Sequence, residues 1–226
     1  MNIETAQSFQ AKTKVSDDVL DRLQTYVDLL VKWQAKINLV GPDTLPQVWS
    51  RHMLDSAQLA PLIGQDKIKD KIKDNIKNII KGAGSGPRVA DLGSGAGFPG
   101  LVLAIMLRDQ GIDVHLVESD QRKCSFLREV NRVCQAGATI HTARIEHLDS
   151  LQADVVTSRA LANLTKLIEF ADIHRLSTGK CVFLKGKRWQ EELTAAQKSW
   201  KIEAIEHPSC TEPAGRVLEL LSIERV

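Results

Sequence analysis

The residues best placed to do chemistry lie in the run Val89-Ala90-Asp91-Leu92-Gly93-Ser94-Gly95-Ala96-Gly97-Phe98-Pro99-Gly100. Val89, Ala90 and Leu92 suit a buried strand, the glycines permit positive φ and close backbone approach to a ligand, and Pro99 fits the first turn of a helix. Such a turn cradles a nucleotide-like cofactor. Residues 95–100 match the dinucleotide pattern G-x-G-x-x-G literally, and Glu118 stands about 20 residues beyond the turn, closing Val114-His115-Leu116-Val117. Spacing alone therefore leaves two cofactors open. Asp91 argues for one of them: a carboxylate facing the site repels a pyrophosphate but suits the cationic sulfonium and amino groups of S-adenosylmethionine. Glu118 serves either cofactor by accepting from ribose hydroxyls.

These residues need a scaffold, and 226 residues suit one domain of moderate size with an appendage. A hydrophobic content of 43% with 26% charged residues is that of a soluble globular protein. No apolar stretch is long enough to span a bilayer, and Met1–Gln7 lacks the basic start and apolar core of a signal peptide, so a cytoplasmic protein is expected. Cys124, Cys134, Cys181 and Cys210 show no C-x-x-C spacing, which indicates neither a metal site nor a disulfide framework. The first three read as small buried hydrophobes. A net charge of +2 neither requires nor excludes nucleic acid, because phosphate binding depends on a local basic face.

A helix is signalled from Ser16, which can cap it, with Val19, Leu20, Leu23, Val27, Leu30 and Val31 at helical spacing. A second helix, roughly Leu45 to Ile63, follows a Gly41-Pro42-Asp43 turn. Both belong to a helical N-terminal region at 1–87 that leans on a domain at 88–226. That region carries a Lys-rich insertion at 66–81, where Ile68, Ile72, Ile76 and Ile80 recur every fourth residue; it reads as a solvated helix in preference to a basic arm on RNA. Gly82–Pro87 reads as a hinge. Beyond Arg88, strands at 114–118, 138–142, 153–158 and 180–185 alternate with helices near 121–134, 163–176 and 191–198. The fold class is therefore α/β, with a mostly parallel sheet flanked by helices. Two closing strands, 201–206 and 217–224, have no helix between them and form an antiparallel hairpin at the sheet edge.

With these pieces placed, the chain resembles the class I S-adenosylmethionine-dependent methyltransferases, whose Rossmann-like seven-stranded sheet ends in such a hairpin. More narrowly it resembles the bacterial small-subunit rRNA guanine-N7 methyltransferases, the glucose-inhibited division protein B family. The resemblance rests on Asn38-Leu39-Val40, Arg51-His52-Met53-Leu54-Asp55-Ser56, the glycine turn, Val117-Glu118-Ser119-Asp120-Gln121-Arg122-Lys123, Ser158-Arg159-Ala160 and Leu184-Lys185-Gly186. The family pattern often has Thr where Val40 stands, and the Lys-rich insertion is longer than the family needs.

The resemblance implies methyl transfer from S-adenosyl-L-methionine to N7 of a guanine in 16S rRNA, expected at guanine 527 in the decoding centre. Its implied partners are 16S rRNA or the small ribosomal subunit, with no membrane, and the protein is expected to be a monomer. The residues are compatible with that chemistry. Guanine N7 carries a lone pair and no proton, so transfer needs alignment more than a general base. No Pro-Cys supplies the thiolate of cytosine-C5 methylation, and Thr157-Ser158-Arg159-Ala160 stands where amine methyltransferases often carry Asn/Asp-Pro-Pro-Tyr or Phe.

By the same resemblance, Asp91, Gly93, Gly95, Gly97 and Phe98 hold the methionine part and adenosine, Glu118 takes the ribose, and Ile145 and Glu146 border the adenine. Arg159 sits at a strand end, where open α/β sheets place ligands, and its guanidinium can take the cofactor carboxylate or an RNA phosphate. Arg159, Lys185 and His52 are the catalytic candidates; no metal is implied. Arg51, His52 and Asp55 lie one helical turn apart, so they either face the cleft together or pair to fix the N-terminal helices. Lys185, Lys187 and Arg188 form a basic rim, while Trp189 suits core packing better than base stacking. A nucleotide-cofactor oxidoreductase and a non-catalytic RNA-binding or assembly protein on the same fold stand as alternatives.

Overall fold

A computed structural model describes residues 4–63 and 86–226. The insertion at 66–81 and most of the expected hinge at 82–87 lie outside the described residues. Seven strands form one sheet in the order β3-β2-β1-β4-β5-β7-β6. They are β1 Arg88–Leu92, β2 Asp113–Glu118, β3 Thr139–Thr142, β4 Ala153–Arg159, β5 Arg175–Lys185, β6 Trp200–Pro208 and β7 Arg216–Arg225. The first five are mutually parallel, and β7 runs antiparallel to both β5 and β6. The chain winds outward one way through β2 and β3 and the other way from β4, which makes the carboxyl ends of β1 and β4 the switch point where open sheets bind ligands. The hairpin is present, but β7 inserts between β5 and β6 with Lys185 opposite Arg216. Its connecting loop, 209–215, therefore sits at the carboxyl end of β5.

The apolar residues of the strands alternate between two cores. Val89, Val114, Leu116, Val155 and Val182 join α1 Ala6–Thr13, α2 Asp17–Gln34 and the helices after β1 and β2 on one face. Ala90, Leu92, Val156, Cys181 and Phe183 pack against the helices after β4 and β5 on the other. Cys124 and Cys134 are buried too, and burial pushes the Cys181 thiol up to about 12.

The sequence reading missed α1, whose Thr5 and Ser8 cap each other reciprocally at its start and whose Phe9 is fully buried against Trp49. Ser16 caps α2 as expected, and the helix buries Leu23, Tyr26, Val27 and Leu30. Val31 lies off that stripe at 51% exposure. The helix expected at 45–63 is broken into a 3₁₀ turn at Pro42–Gln47, a π turn at Trp49–Leu54 and two short pieces, α3 Asp55–Ala57 and α4 Ala60–Ile63. Pro46 and Pro61 withhold the N–H groups a continuous ladder needs.

The remaining helices are α5 Gly100–Met106, α6 Gln121–Val133, α7 Leu164–His174 and α8 Trp189–Ala196. β5 begins at Arg175 instead of Lys180, because Arg175 pairs with Ala153 before a register shift that local pattern does not reveal. No described helix is long and apolar enough to cross a membrane.

Candidate active site

The glycine turn hangs from the strand ends around it. Gly93 and Ser94 donate their N–H groups to the Val117 carbonyl at 2.9 and 3.1 Å, and the Ser158 hydroxyl donates to the Leu92 carbonyl at 2.8 Å. The Glu118 carboxylate accepts from Gly95 N at 2.9 Å and Asp120 N at 2.8 Å, one bond per oxygen. Each oxygen keeps acceptor capacity toward the cleft. Gly95 adopts φ +57°, and a Cβ built there would meet only the Gly93 carbonyl at 3.9 Å. The open space above it is what a cofactor needs and a side chain would fill.

Asp91 and Gly97 act from beneath this surface. Asp91 is in phase with Val89, so its carboxylate points at α5 and not into the cleft, which corrects the expectation that it faces a cationic ligand. One carboxylate oxygen accepts from the Thr157 hydroxyl at 3.0 Å and the other from Gly100 N, the first residue of α5, at 3.2 Å. Burial raises its pKa to about 6 against these bonds. Gly97, at φ +94°, leaves no room for a Cβ, which would lie 2.6 Å from the Tyr26 hydroxyl.

Phe98 is held on three sides. The Tyr26 ring stacks on it at 5.3 Å and 12°, the His52 ring at 4.9 Å and 25°, and the Arg159 guanidinium lies 5.0 Å from its centroid. Tyr26 also donates its hydroxyl to the Ala96 carbonyl. Arg159 donates to the Arg51 carbonyl at 2.8 Å, to Asp55 at 3.2 Å and to His52 Nδ1 at 2.9 Å. A guanidinium only donates, so His52 Nδ1 accepts, and Nε2 carries the proton it gives to the Thr44 hydroxyl at 2.8 Å. Thr44 passes its own proton to the Gly41 carbonyl at 2.7 Å.

Burial first, then Arg159 and Arg51, push His52 down to about 3. With both nitrogens engaged and its pKa lowered, His52 borders the cleft as a neutral ring. The Arg51 carbonyl, His52 and Asp55 are thus assembled around Arg159, so the three residues both pair across the N-terminal segment and border the cleft.

Lys185 does not supply an exposed basic rim. Its side chain is 7% exposed, pairs with Glu192 at 2.6 Å and donates to the Ala162 carbonyl at 3.0 Å. Lys187 and Arg188 are exposed at the mouth, and Trp189 is buried as expected. Buried Ile145 and exposed Glu146 sit on the turn after β3 and border the cleft from the Glu118 side.

Gly93, Gly95, Phe98, Glu118, His52 and Arg159 line one cleft of about 1080 Å³, together with Thr44, Ser209 and Glu212, whereas Asp91, Gly97, Tyr26 and Trp189 lie behind its wall. That volume suits a cofactor and a substrate base together. Sequence reasoning missed Tyr26, Thr44, Ser209 and Glu212; only Tyr26 left a signal, as the single tyrosine of the chain lying three residues from Leu23 on an apolar stripe.

A family model described as GidB, rRNA small subunit methyltransferase G, matches residues 19–218. The chain belongs to that family. It is 53% identical over 214 residues to the ribosomal RNA small subunit methyltransferase G of Paramagnetospirillum magneticum, covering 95% of this chain and 94% of that one. It is 47% identical over 218 residues to the enzyme of the same name from Parvibaculum lavamentivorans, covering 95% and 88%. A solved structure of WbdD with a kinase inhibitor shares the fold at a TM-score of 0.52 and 16% identity, over 87% of this chain and 47% of that one. This methyltransferase G family member has the class I methyltransferase fold and draws its methyl group from S-adenosylmethionine.

Proposed function

We propose that this methyltransferase G family member methylates N7 of a guanine in 16S rRNA, guanine 527 being the position the family implies. The observation that carries the reading is the pairing of an open glycine cradle with a Glu118 carboxylate held ready for ribose hydroxyls, in a cleft with room for a base. The cofactor supplies an electrophilic methyl group on a sulfonium. Gly93, Gly95 and the backbone between them would hold it, Glu118 would accept from its two ribose hydroxyls, and Ile145 and Glu146 would border the adenine.

Phe98, clamped by Tyr26, His52 and Arg159, sets the floor on which cofactor and base meet. Asp91 and Gly97 hold the turn from below, and the Lys185–Glu192 pair fixes the ends of β5 and α8. N7 has no proton to lose, so alignment by these fixed groups is the contribution the protein must make. A neutral His52 with both nitrogens committed agrees with that requirement.

The exposed Arg144, Lys187 and Arg188 around the cleft offer phosphate contacts to 16S rRNA or the small ribosomal subunit, and the setting is the cytoplasm. The test is to map N7-methylguanine in 16S rRNA from cells with and without the protein. One modified guanine disappearing with the protein is expected; an unchanged map overturns the reading.

A further inference from the structure

The hairpin loop 209–215 is stitched across the cleft to the broken N-terminal segment. Cys210 N donates to the Gln58 side chain at 3.0 Å, the Thr211 hydroxyl donates to Asp55, and Arg51 reaches Glu212 at 3.3 Å. This places Glu212 on the wall that carries Arg159. Most acidic groups lining the cleft are already committed. Asp55 serves Arg159, Thr211 and Gln58; Glu118 serves Gly95 and Asp120; Glu192 serves Lys185 and Leu164 N. Glu146 borders the region of the adenine. Glu212 is different: its side chain is 45% exposed, and its single ion pair among the described residues is with an Arg51 side chain itself 42% exposed. A pair this exposed is worth little and is cheaply exchanged for another donor.

We propose that Glu212 is the specificity-determining residue for guanine, its carboxylate accepting from N1–H and the N2 amino group of the base. The assignment rests on the guanine-N7 reading above. A guanine that turns N7 toward the methyl donor directs its Watson–Crick edge to the opposite wall, and that edge presents two adjacent donors. A carboxylate matches them with two oxygens, and adenine, with an acceptor at N1 and no N2 amine, is repelled. Glu212 exchanges Arg51 for the base.

The test compares guanine with inosine, which lacks the N2 amine, at the methylated position of the RNA the wild-type protein modifies. Wild type, Glu212→Gln and Glu212→Ala are assayed for methyl transfer and for S-adenosylmethionine affinity. Loss of a hydrogen bond to a charged group lowers wild-type turnover on inosine by about tenfold or more. In Glu212→Ala turnover on guanine falls by a similar factor, the guanine-to-inosine ratio collapses toward one, and cofactor affinity stays within about twofold. Glu212→Gln keeps the size and one acceptor and falls between. A wild-type protein that methylates guanine, with a ratio surviving in both variants, overturns the assignment alone. A wild-type protein that methylates no guanine removes the underlying reading and the assignment with it.

Discussion

Arg159→Ala separates a strand-end cation aimed at a ligand from one that holds the site together. A strand-end cation that only binds a ligand, as the sequence reading has it, would lose methyl transfer with little loss of stability. The structure predicts otherwise: the substitution strips donors from the Arg51 carbonyl, Asp55 and His52 Nδ1 at once. Removing one partner of a buried ion pair costs about 3–5 kcal/mol. Here Asp55 is 16% exposed and keeps Thr211 and Gln58, which places the loss near about 3 kcal/mol. For a chain of this length that lowers the melting temperature by roughly 6–12 °C.

A second signature comes from pH. His52 has a folded pKa of about 3 against an ordinary 6.5, so the unfolded chain binds its proton first. This group therefore removes stability as pH falls below 6.5, by up to about 1.4 kcal/mol per unit. Without the neighbouring guanidinium the His52 pKa rises and the slope flattens. Burial remains the larger cause of the His52 shift, so denaturant melts at pH 7.5 read the midpoint and melts between pH 5.5 and 4 read the change in slope. A variant with the wild-type midpoint and wild-type slope refutes the clamp. Arg159→Lys keeps the charge without the fork and falls between, because a single ammonium cannot reach all three acceptors.

Gly95→Val places a branched side chain in the open cradle and opposes φ +57°; titration is expected to show S-adenosylmethionine affinity lost, with a stability cost of only about 1–2 kcal/mol. Unchanged affinity would move the cofactor elsewhere. Lys185→Met leaves Glu192 and the Ala162 carbonyl without their donor, and since Glu192 keeps Leu164 N, a loss of about 2 kcal/mol is expected in chemical denaturation. An unaltered midpoint would return Lys185 to the role of a free cation. Asp91, with its pKa raised by burial to about 6, contributes stability that is complete below 3.8 and lost as pH rises through 6. Asp91→Asn can keep the bond from Gly100 N and reverse that with the Thr157 hydroxyl, and is expected to remove up to about 3 kcal/mol of that decline, read from melts at pH 4 and 7; parallel profiles would contradict it.

What was legible in the sequence follows from which demands are local. The turn at 93–100 and Glu118 are readable because backbone geometry restricts them to glycine and to an acid at a strand end. Asp91, expected to face the cofactor, points under the turn instead, as its phase with Val89 on the helix-covered face requires. His52, Asp55 and Arg159 were picked out, but their bonds span more than 100 residues of sequence, and no local pattern encodes them. Local sequence shows the loop 209–215 only as a connection between two strands. Its place at the cleft depends on β7 inserting beside β5, a pairing decided by the whole sheet.

The N-terminal segments are parts of the cleft and not a cover laid over it. Tyr26 reaches the Ala96 carbonyl from α2, His52 and Thr44 fix the face of Phe98, and Arg51, Asp55 and Gln58 hold the hairpin loop that carries Glu212. Arg159 stands where these strands of contact cross. A loss of order in any one segment therefore displaces the floor, the wall or the loop, each of which the methyl transfer needs in place. Alignment chemistry tolerates the absence of a general base, but it does not tolerate movement of the groups that align. On the proposed guanine-N7 reading, the commitment of Arg159 and His52 to structural bonds fits a site whose contribution is to hold the reacting groups still and not to exchange protons with them.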